Sequence, residues 1–306
     1  MTESSKTFLS TKEVAELLDV NEKVVYSLIS EKGLPACKIT GKWIFPRHLV
    51  ERWIENHVIN YPSKEPITFS SLLIIVGSND PLLERTIALF NSLFSDELLA
   101  VFGSTGSLGG LRALNRKLCQ IASSHLMHSD EREYNFAYIE DQIEGERPAV
   151  INFCFREQGI MVRKGNPKGI RDISSLARPD VRIANRQEGT GTRLLLDHEL
   201  NKAGIDPKRI KGYENSFPTH LAVGLEVISG RVDAGIGIKA IASLLGLDFI
   251  PLRKERYDLL VAKEHFFEKP VQRFLGLLQE ESFRELASVL DGYDVSMSGK
   301  MVFYEH

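Results

Sequence analysis

The sequence predicts an α/β protein in which a large two-lobed domain follows a small, mainly helical one. Three observations lead there. Between Leu9 and about Asn56 short helical patterns follow one another with tight punctuation. Between Asn60 and Pro66 the chain reads NYPSKEP, the composition of a linker. From Ile67 onward short apolar runs alternate with amphipathic helical patterns, as in a parallel or mixed sheet covered on both faces. The 306 residues therefore divide into an N-terminal domain at 1–60, a linker at 61–66 and a large domain at 67–306. The large domain is long for one sheet, and the run from Phe155 to Arg163 reads as a strand crossing between lobes. This puts the second lobe at about 157–252.

In the small domain, Ser10 and Thr11 precede Lys12-Glu13, a helix start with an acidic first turn, and Val14, Leu17 and Leu18 recur at helical spacing. Asp19-Val20-Asn21 makes a turn, and Asn21 can cap a second helix carrying Val24, Val25, Leu28 and Ile29. Gly33 stands where a left-handed residue ends that helix. The alternation of Lys38 to Phe45 around Gly41 signals a hairpin, Pro46 closes it, and a third helix starts at His48. In the large domain the expected strands are LLIIVG, LLAVFG, VINFCF, GIMVRK, VRIANR, VDAGIGI and YDLLVA, with helices starting at Pro81 and Ser107 after the first two.

Hydrophobic residues make up 43% and charged residues 26% of the chain, enough apolar material for sizeable cores. A net charge of −3 rules out a polycation, so any contact with nucleic acid has to come from a local patch. Cys37, Cys119 and Cys154 are scattered with no CxxC spacing, which points to a reducing compartment. The opening residues lack a charged stretch followed by an apolar one, and no apolar run approaches the roughly 18 residues that cross a bilayer. A cytoplasmic protein without a membrane partner is expected.

The stretch from Ser10 to Asn56 resembles the excisionase-type helix-turn-helix, a reduced relative of the DNA-binding domains of mercury-resistance regulators. The residues that carry the likeness are Thr11-Lys12-Glu13-Val14-Ala15, Val25-Tyr26, Gly33-Leu34-Pro35 and Gly41-Lys42-Trp43. The resemblance implies a winged helix-turn-helix whose second helix lies in a major groove of double-stranded DNA. Asn21, Lys23, Tyr26 and Ser27 are its candidate DNA-facing groups, and Lys38, Thr40 and Lys42 would set the wing against phosphates. Residues 1–57 hold eight Lys/Arg and eight Asp/Glu, so one neutral module binds DNA weakly and a homodimer on a two-fold site is expected.

Three turns of the large domain suit an anion: GSNDP at 77–81, GSTGS at 103–107 and EGTGTR at 188–193. Each joins a strand to a helix, where glycines let the backbone approach a ligand and free N–H groups meet the positive end of the helix dipole. None fits a nucleotide P-loop. GSTGSLGG loosely overlaps a dinucleotide fingerprint, but no acidic residue ends a strand at the expected distance.

From about Ser71 the chain resembles the periplasmic molybdate-binding-like domain, a type II solute-receptor fold also found fused to molybdate-responsive regulators. The matching segments include SHLMH, REQGIMVRKGNPKGI, NRQEGTGTRLLLD, THLAVGLEVISGRVDAGIGI and GYDVSMSG. The resemblance implies a two-lobed periplasmic-binding-protein-like domain that holds molybdate or tungstate by hydroxyls and main-chain amides, phosphate or sulfate suiting it less. It assigns Ser78, Asn79, Ser104, Thr105 and Ser107 to the first lobe's contacts. On the second lobe it assigns Thr190, Gly191, Thr192, Arg193 and Thr219, with Arg193 open between ligand contact and an ion pair holding the turn.

No nucleophile-elbow sequence, metal motif or placed carboxylate pair is present, so no enzyme, metal or cofactor is expected. His125, His128, His198 and His220 lack ligand spacing and read as structural. The expected function is an oxyanion-sensing transcription regulator. The alternative is an oxyanion store or delivery protein for molybdenum-cofactor synthesis, its N-terminal module docking a protein.

Overall fold

A computed structural model describes residues 6–39, 41–59, 71–128 and 133–303. The chain splits into two compact units, Met1–Pro66 and Ile67–His306. Thr40 and the expected linker at 61–66 lie outside the described residues.

In the first unit, α1 (Thr11–Leu18) starts at a reciprocal cap: Glu13 N–H donates to Ser10 Oγ at 3.4 Å and Ser10 N–H to the Glu13 carboxylate at 2.8 Å. Asn21 caps α2 (Glu22–Lys32) by accepting from Val24 N–H at 3.1 Å, and Gly33 ends it with φ 66°. The hairpin β2 (Cys37–Ile39) and β3 (Lys42–Pro46) leads into α3 (Arg47–Asn56). A strand the sequence did not suggest, β1 (Phe8–Ser10), adds to β3, so the sheet order is β1-β3-β2. Val14, Val25, Leu34, Phe45 and Val50 form the core, and Trp43 packs half-buried against it. Trp53 donates to the Lys32 carbonyl at 3.0 Å, tying α3 to the end of α2.

The second unit is built on one sheet in the order β5-β4-β6-β11-β7-β10-β8-β9. Its strands β4 (Leu72–Gly77), β5 (Leu99–Ser104) and β6 (Ile121–Ser124) are parallel and form the first lobe with α4 (Pro81–Leu93) and α5 (Gly106–Asn115). The second lobe holds β8 (Ile183–Arg186), α7 (Gly191–Lys202), β9 (Ser216–Phe217), α8 (His220–Ile228), β10 (Ala234–Ile238) and α9 (Lys239–Leu244). Between the lobes, α6 (Phe136–Gln142) precedes β7 (Ala149–Val162), and β7 pairs antiparallel with β11 (Asp248–Val261) along the full length of both. At about 3.3 Å per residue, each of these 14-residue strands is roughly 45 Å long and runs through both lobes.

The expected strands VINFCF and GIMVRK are one strand, and the crossing expected from Phe155 is continuous from Ala149. Of β11 only the end, YDLLVA, was expected as strand; the charged run PLRKER at 251–256 precedes it. Pairing with β7 keeps that stretch extended. Side chains on β7 alternate between cores. Ile151 and Phe153 join Leu73, Phe90 and Phe283 on one face of lobe one, while Val150 joins Leu111 and Leu260 on the other. Beyond the crossing, Ile160 and Val162 pack with Ile183 and Leu196, and Met161 with Val223 and Val227. Helices on both faces explain why these strands are apolar throughout. A C-terminal strand, β12 (Tyr293–Asp294), follows α10 (Lys269–Leu277) and α11 (Glu281–Ser288) and pairs with β7 beside Arg156.

Candidate functional site in the cleft

The midpoint of the crossing pair is polar. Register sets Glu255 opposite Arg156, with Gln158 two residues further along β7 on the same face. These side chains are almost fully buried. Arg156 donates from Nε to Glu255 at 2.5 Å and from Nη1 to Asp80 at 2.6 Å. Asp80 also caps α4, accepting from Leu82 N–H at 2.8 Å and Leu83 N–H at 3.0 Å, and takes the Tyr293 hydroxyl at 2.6 Å. Glu255 further accepts from Gln158 at 2.5 Å and from His125 Nδ1 at 2.8 Å, and the Ser78 hydroxyl lies 2.9 Å from His125 Nε2.

Burial alone would raise Glu255, but the charges of His125 and Arg156 outweigh it and bring its carboxyl down to about 2. Burial likewise opposes the charge on Arg156, yet Glu255 and Asp80 push it well above the ordinary guanidinium range. Burial lowers His125, partly opposed by Glu255. Its Nδ1 faces the Glu255 carboxylate and its Nε2 the Ser78 hydroxyl.

The lobes meet over this floor. Leu108 N–H donates to the Gly189 carbonyl at 3.2 Å, joining the GSTGS and EGTGT turns directly. Gly191 comes so near His125 that a β-carbon there would lie 2.5 Å from Nδ1, so only glycine permits this approach. Arg186, the last residue of β8, reaches across to Asn79 Oδ1 at 3.3 Å and holds the Phe217 carbonyl at 3.1 Å.

Unpaired polar atoms occur on both the floor and the second lobe's wall. On the floor they are Arg156 Nη2 and Gln158 Oε1; on the wall, Arg186 is 1% exposed and its Nε has no partner. The same is true of Thr192 Oγ1 and of both ring nitrogens of His220, the latter two residues being fully buried. Burial, then the charge of Arg156, lowers Arg186 to about 10. His220 is lowered well below its ordinary value by burial and by the charges of Arg186, Arg156 and His125. Buried polar groups are nearly always hydrogen-bonded, so unpaired atoms on the floor and wall of the cleft make it the candidate place for a ligand.

The residues expected from sequence distribute unevenly around this wall. Ser78, Asn79, Ser107 and Thr192 are buried in the cleft. Ser107 accepts from His125 N–H at 3.3 Å. Ser104 and Thr105 are exposed, because their turn packs through Gly106 and Leu108 against the other lobe. Thr190 and Thr219 turn their hydroxyls onto the starts of α7 and α8, accepting from Arg193 N–H at 3.3 Å and Ala222 N–H at 3.0 Å. Arg193 makes an ion pair in this structure: its Nε lies 3.1 Å from Asp197 and its guanidinium stacks 4.0 Å from the Tyr213 ring. Arg156, Glu255 and Arg186 were not among the expected site residues, and His125 and His220 were expected to be structural. The available signal was an arginine ending the strand VRIANR just before a glycine turn.

On the first unit, α2 shows Lys23 and Tyr26 to solvent on one face, Tyr26 at 44% exposure. Asn21 is exposed but its carbonyl is committed to the cap, and the Ser27 hydroxyl turns back to the Val24 carbonyl at 2.9 Å. In the wing, Lys42 is exposed and Lys38 sits 5.6 Å over the Trp43 ring.

Cys37, Cys119 and Cys154 are free thiols, and no His/Cys/Asp/Glu cluster among the described residues has the arrangement of a metal site. No helix among them is long and apolar enough to cross a membrane.

Comparison with known proteins agrees with this architecture. Residues 8–58 match the model of a helix-turn-helix domain, and residues 92–279 match the PBP superfamily domain. The chain is 32% identical over 302 residues to the uncharacterized protein YvgK of Bacillus subtilis, covering 95% of this chain and 96% of that one. A protein from the 5' region of a 2Fe-2S ferredoxin gene in Clostridium pasteurianum is 36% identical over 110 residues, 36% of this chain and 97% of that one. Among solved structures, a phosphate-bound transporter substrate-binding protein from Clostridium perfringens superposes with a TM-score of 0.52 at 11% identity, covering 76% of this chain and all 100% of its own. A tungstate transporter structure from Geobacter sulfurreducens gives 0.51 at 12% identity, over 71% of this chain and 98% of that one. The fold is that of type II periplasmic binding proteins, and the chain belongs to the PBP superfamily, with a helix-turn-helix domain at its N-terminus.

Proposed function

We propose that this protein is a cytoplasmic, ligand-responsive transcription regulator whose cleft binds an oxyanion, molybdate or tungstate before phosphate or sulfate. The observation that carries the reading is the buried Arg186, whose Nε is unpaired, as are Thr192 Oγ1 and both His220 ring nitrogens, in a domain fused to a helix-turn-helix. An uncompensated buried cation is costly, and a tetrahedral dianion relieves it while accepting several charge-assisted hydrogen bonds. Arg186, Thr192 and Ser78 are the contacts we assign, and Asn79 shifts its bond with Arg186 as the anion enters. The fold is shared with receptors for tungstate and for phosphate, which supports the oxyanion class without choosing within it. The resemblance of NRQEGTGTR to molybdate-binding domains favours molybdate or tungstate.

In this reading the anion favours the closed lobes and so biases the arrangement of two helix-turn-helix domains in a homodimer on a two-fold DNA site. Lys23, Tyr26, Lys38 and Lys42 are the DNA contacts we assign. The cleft works by binding rather than catalysis. Ser78, His125 and Glu255 stand in the order of a hydrolytic relay, but Glu255 is also ion-paired with Arg156 and hydrogen-bonded by Gln158.

Calorimetric titration with molybdate, tungstate, sulfate and phosphate tests the cleft. Tight binding of the first two over the others is expected, and no heat with any of them overturns the oxyanion reading. A DNA mobility shift that weakens steeply with salt and responds to the bound anion tests the regulator. The neutral N-terminal module favours one other reading, a storage or delivery protein that docks to a protein partner. Absence of any salt-sensitive DNA shift supports that alternative.

A further inference from the structure

His220 is the first residue of α8, capped by Thr219, so its ring stands at the positive end of a nine-residue helix. It is fully buried and neither ring nitrogen has a partner. A core histidine satisfies at least one nitrogen, and this one sits among cations instead. The elements packed on α8 are β7, β8, β9, β10 and α9. From β8 it meets the charge of Arg186 and from β7 that of Arg156, while His125 acts on it from the residue after β6. Strands β9 and β10 bring no titratable side chain, and Lys239 of α9 is bound to Glu157 of β7 at 3.3 Å. On α8 itself Glu226 is held by Arg231 at 2.6 Å. No carboxylate is among the charges that act on the ring.

We infer that His220 is a direct contact of the cleft anion, and that each anion bound brings one proton into the complex, shared between the His220 ring and the ligand. The inference rests on the oxyanion reading and adds to it. In the free cleft the ring is neutral, because burial and cationic neighbours oppose its charge. A neutral imidazole offers a dianion one N–H and one lone pair, and the lone pair repels. A proton on that nitrogen, taken from solvent or carried in on a protonated oxyanion, turns repulsion into a charge-assisted hydrogen bond. Both routes have the same balance: free protein, dianion and one proton give the complex. The proton is therefore taken up on binding, and affinity falls as pH rises.

The test is calorimetry of the full chain with molybdate in buffers of different ionisation enthalpy, repeated from pH 6.5 to 8.5. The expected result is a heat that changes with buffer, corresponding to one proton taken up, and an affinity that drops up to about tenfold per pH unit. The His220→Gln variant should bind molybdate with buffer-independent heat and a flat pH profile. Should that variant fail to fold, 15N-histidine spectra of the unmodified protein give the same answer, since its buried ring must leave the neutral pattern when molybdate is added. Binding of molybdate with buffer-independent heat overturns the inference and leaves the oxyanion reading standing. A pH slope that survives His220→Gln also overturns it. No heat with molybdate, tungstate, sulfate or phosphate overturns both together.

Discussion

Arg156 and Arg186 are both 1% exposed in the same cleft, yet they sit in opposite electrostatic situations. Arg156 lies on the crossing strands and is held by Glu255 and Asp80 at 2.5 and 2.6 Å. Arg186 lies at the edge of lobe two with only neutral oxygens, from Asn79 and Phe217, on its terminal nitrogens. One is pushed above its ordinary range and the other lowered to about 10. A buried cation with its anions in place is architecture. A buried cation without them stores a free-energy cost that an incoming anion can remove.

The contrast can be broken most forcefully at Glu255. Glu255→Ala strands Arg156 in the interior and should cost about 3–5 kcal/mol in urea denaturation. An unchanged midpoint would mean that the floor is no more structural than the wall. Next in size, Arg186→Leu removes charge-assisted bonds to the ligand worth about 1.5–3 kcal/mol, roughly 10- to 150-fold in molybdate affinity by calorimetry. Its ligand-free stability should hold or rise, because an uncompensated charge is gone. A loss of stability as large as that of Glu255→Ala would assign Arg186 to the architecture instead.

Acid should act on the same comparison. His125 and His220 are both lowered in the fold, chiefly by burial, while in the unfolded chain they take up protons near 6.5. Below that pH the unfolded state binds protons that the folded state refuses. Stability of the ligand-free protein is therefore complete above about 6.5 and falls below it, by up to about 1.4 kcal/mol per pH unit for each ring. Thermal midpoints between pH 7 and 5 measure this, and added molybdate should flatten the decline by giving His220 a reason to be charged. The smallest effect belongs to Thr192→Val, which keeps the shape and removes the unpaired hydroxyl. It should weaken molybdate binding by about 1 kcal/mol, some fivefold, while the urea midpoint stays within about 0.5 kcal/mol.

Much of this fold is written locally. Ser10 with Glu13, Asn21 and Gly33 each close a cap through residues no more than a few positions away, so the helices of the first unit read directly from the chain. The continuous apolar strands of the second unit read equally well because both faces are covered. Strands β1 and β6 and the charged half of β11 did not. Each is short or polar, and is extended because a neighbouring strand holds it.

The site shows the same division. Glycine and hydroxyl turns could be read from the chain, since helix starts carry that composition wherever they occur. Which hydroxyls remain free was not local information: Thr190 and Thr219 are consumed as caps, Arg193 is taken by Asp197, and Ser104 and Thr105 stay exposed. The sequence by itself determined the helix caps, the buried strands, the helix-turn-helix likeness and the three turns that flank a cleft. Only the tertiary structure decided that Arg156 meets Glu255 from 99 residues away while Arg186 and His220 meet no anion at all. The physical reason is that a cap or an alternating strand depends on neighbours in the chain. The state of a buried charge depends on every group brought around it, and those come from both lobes.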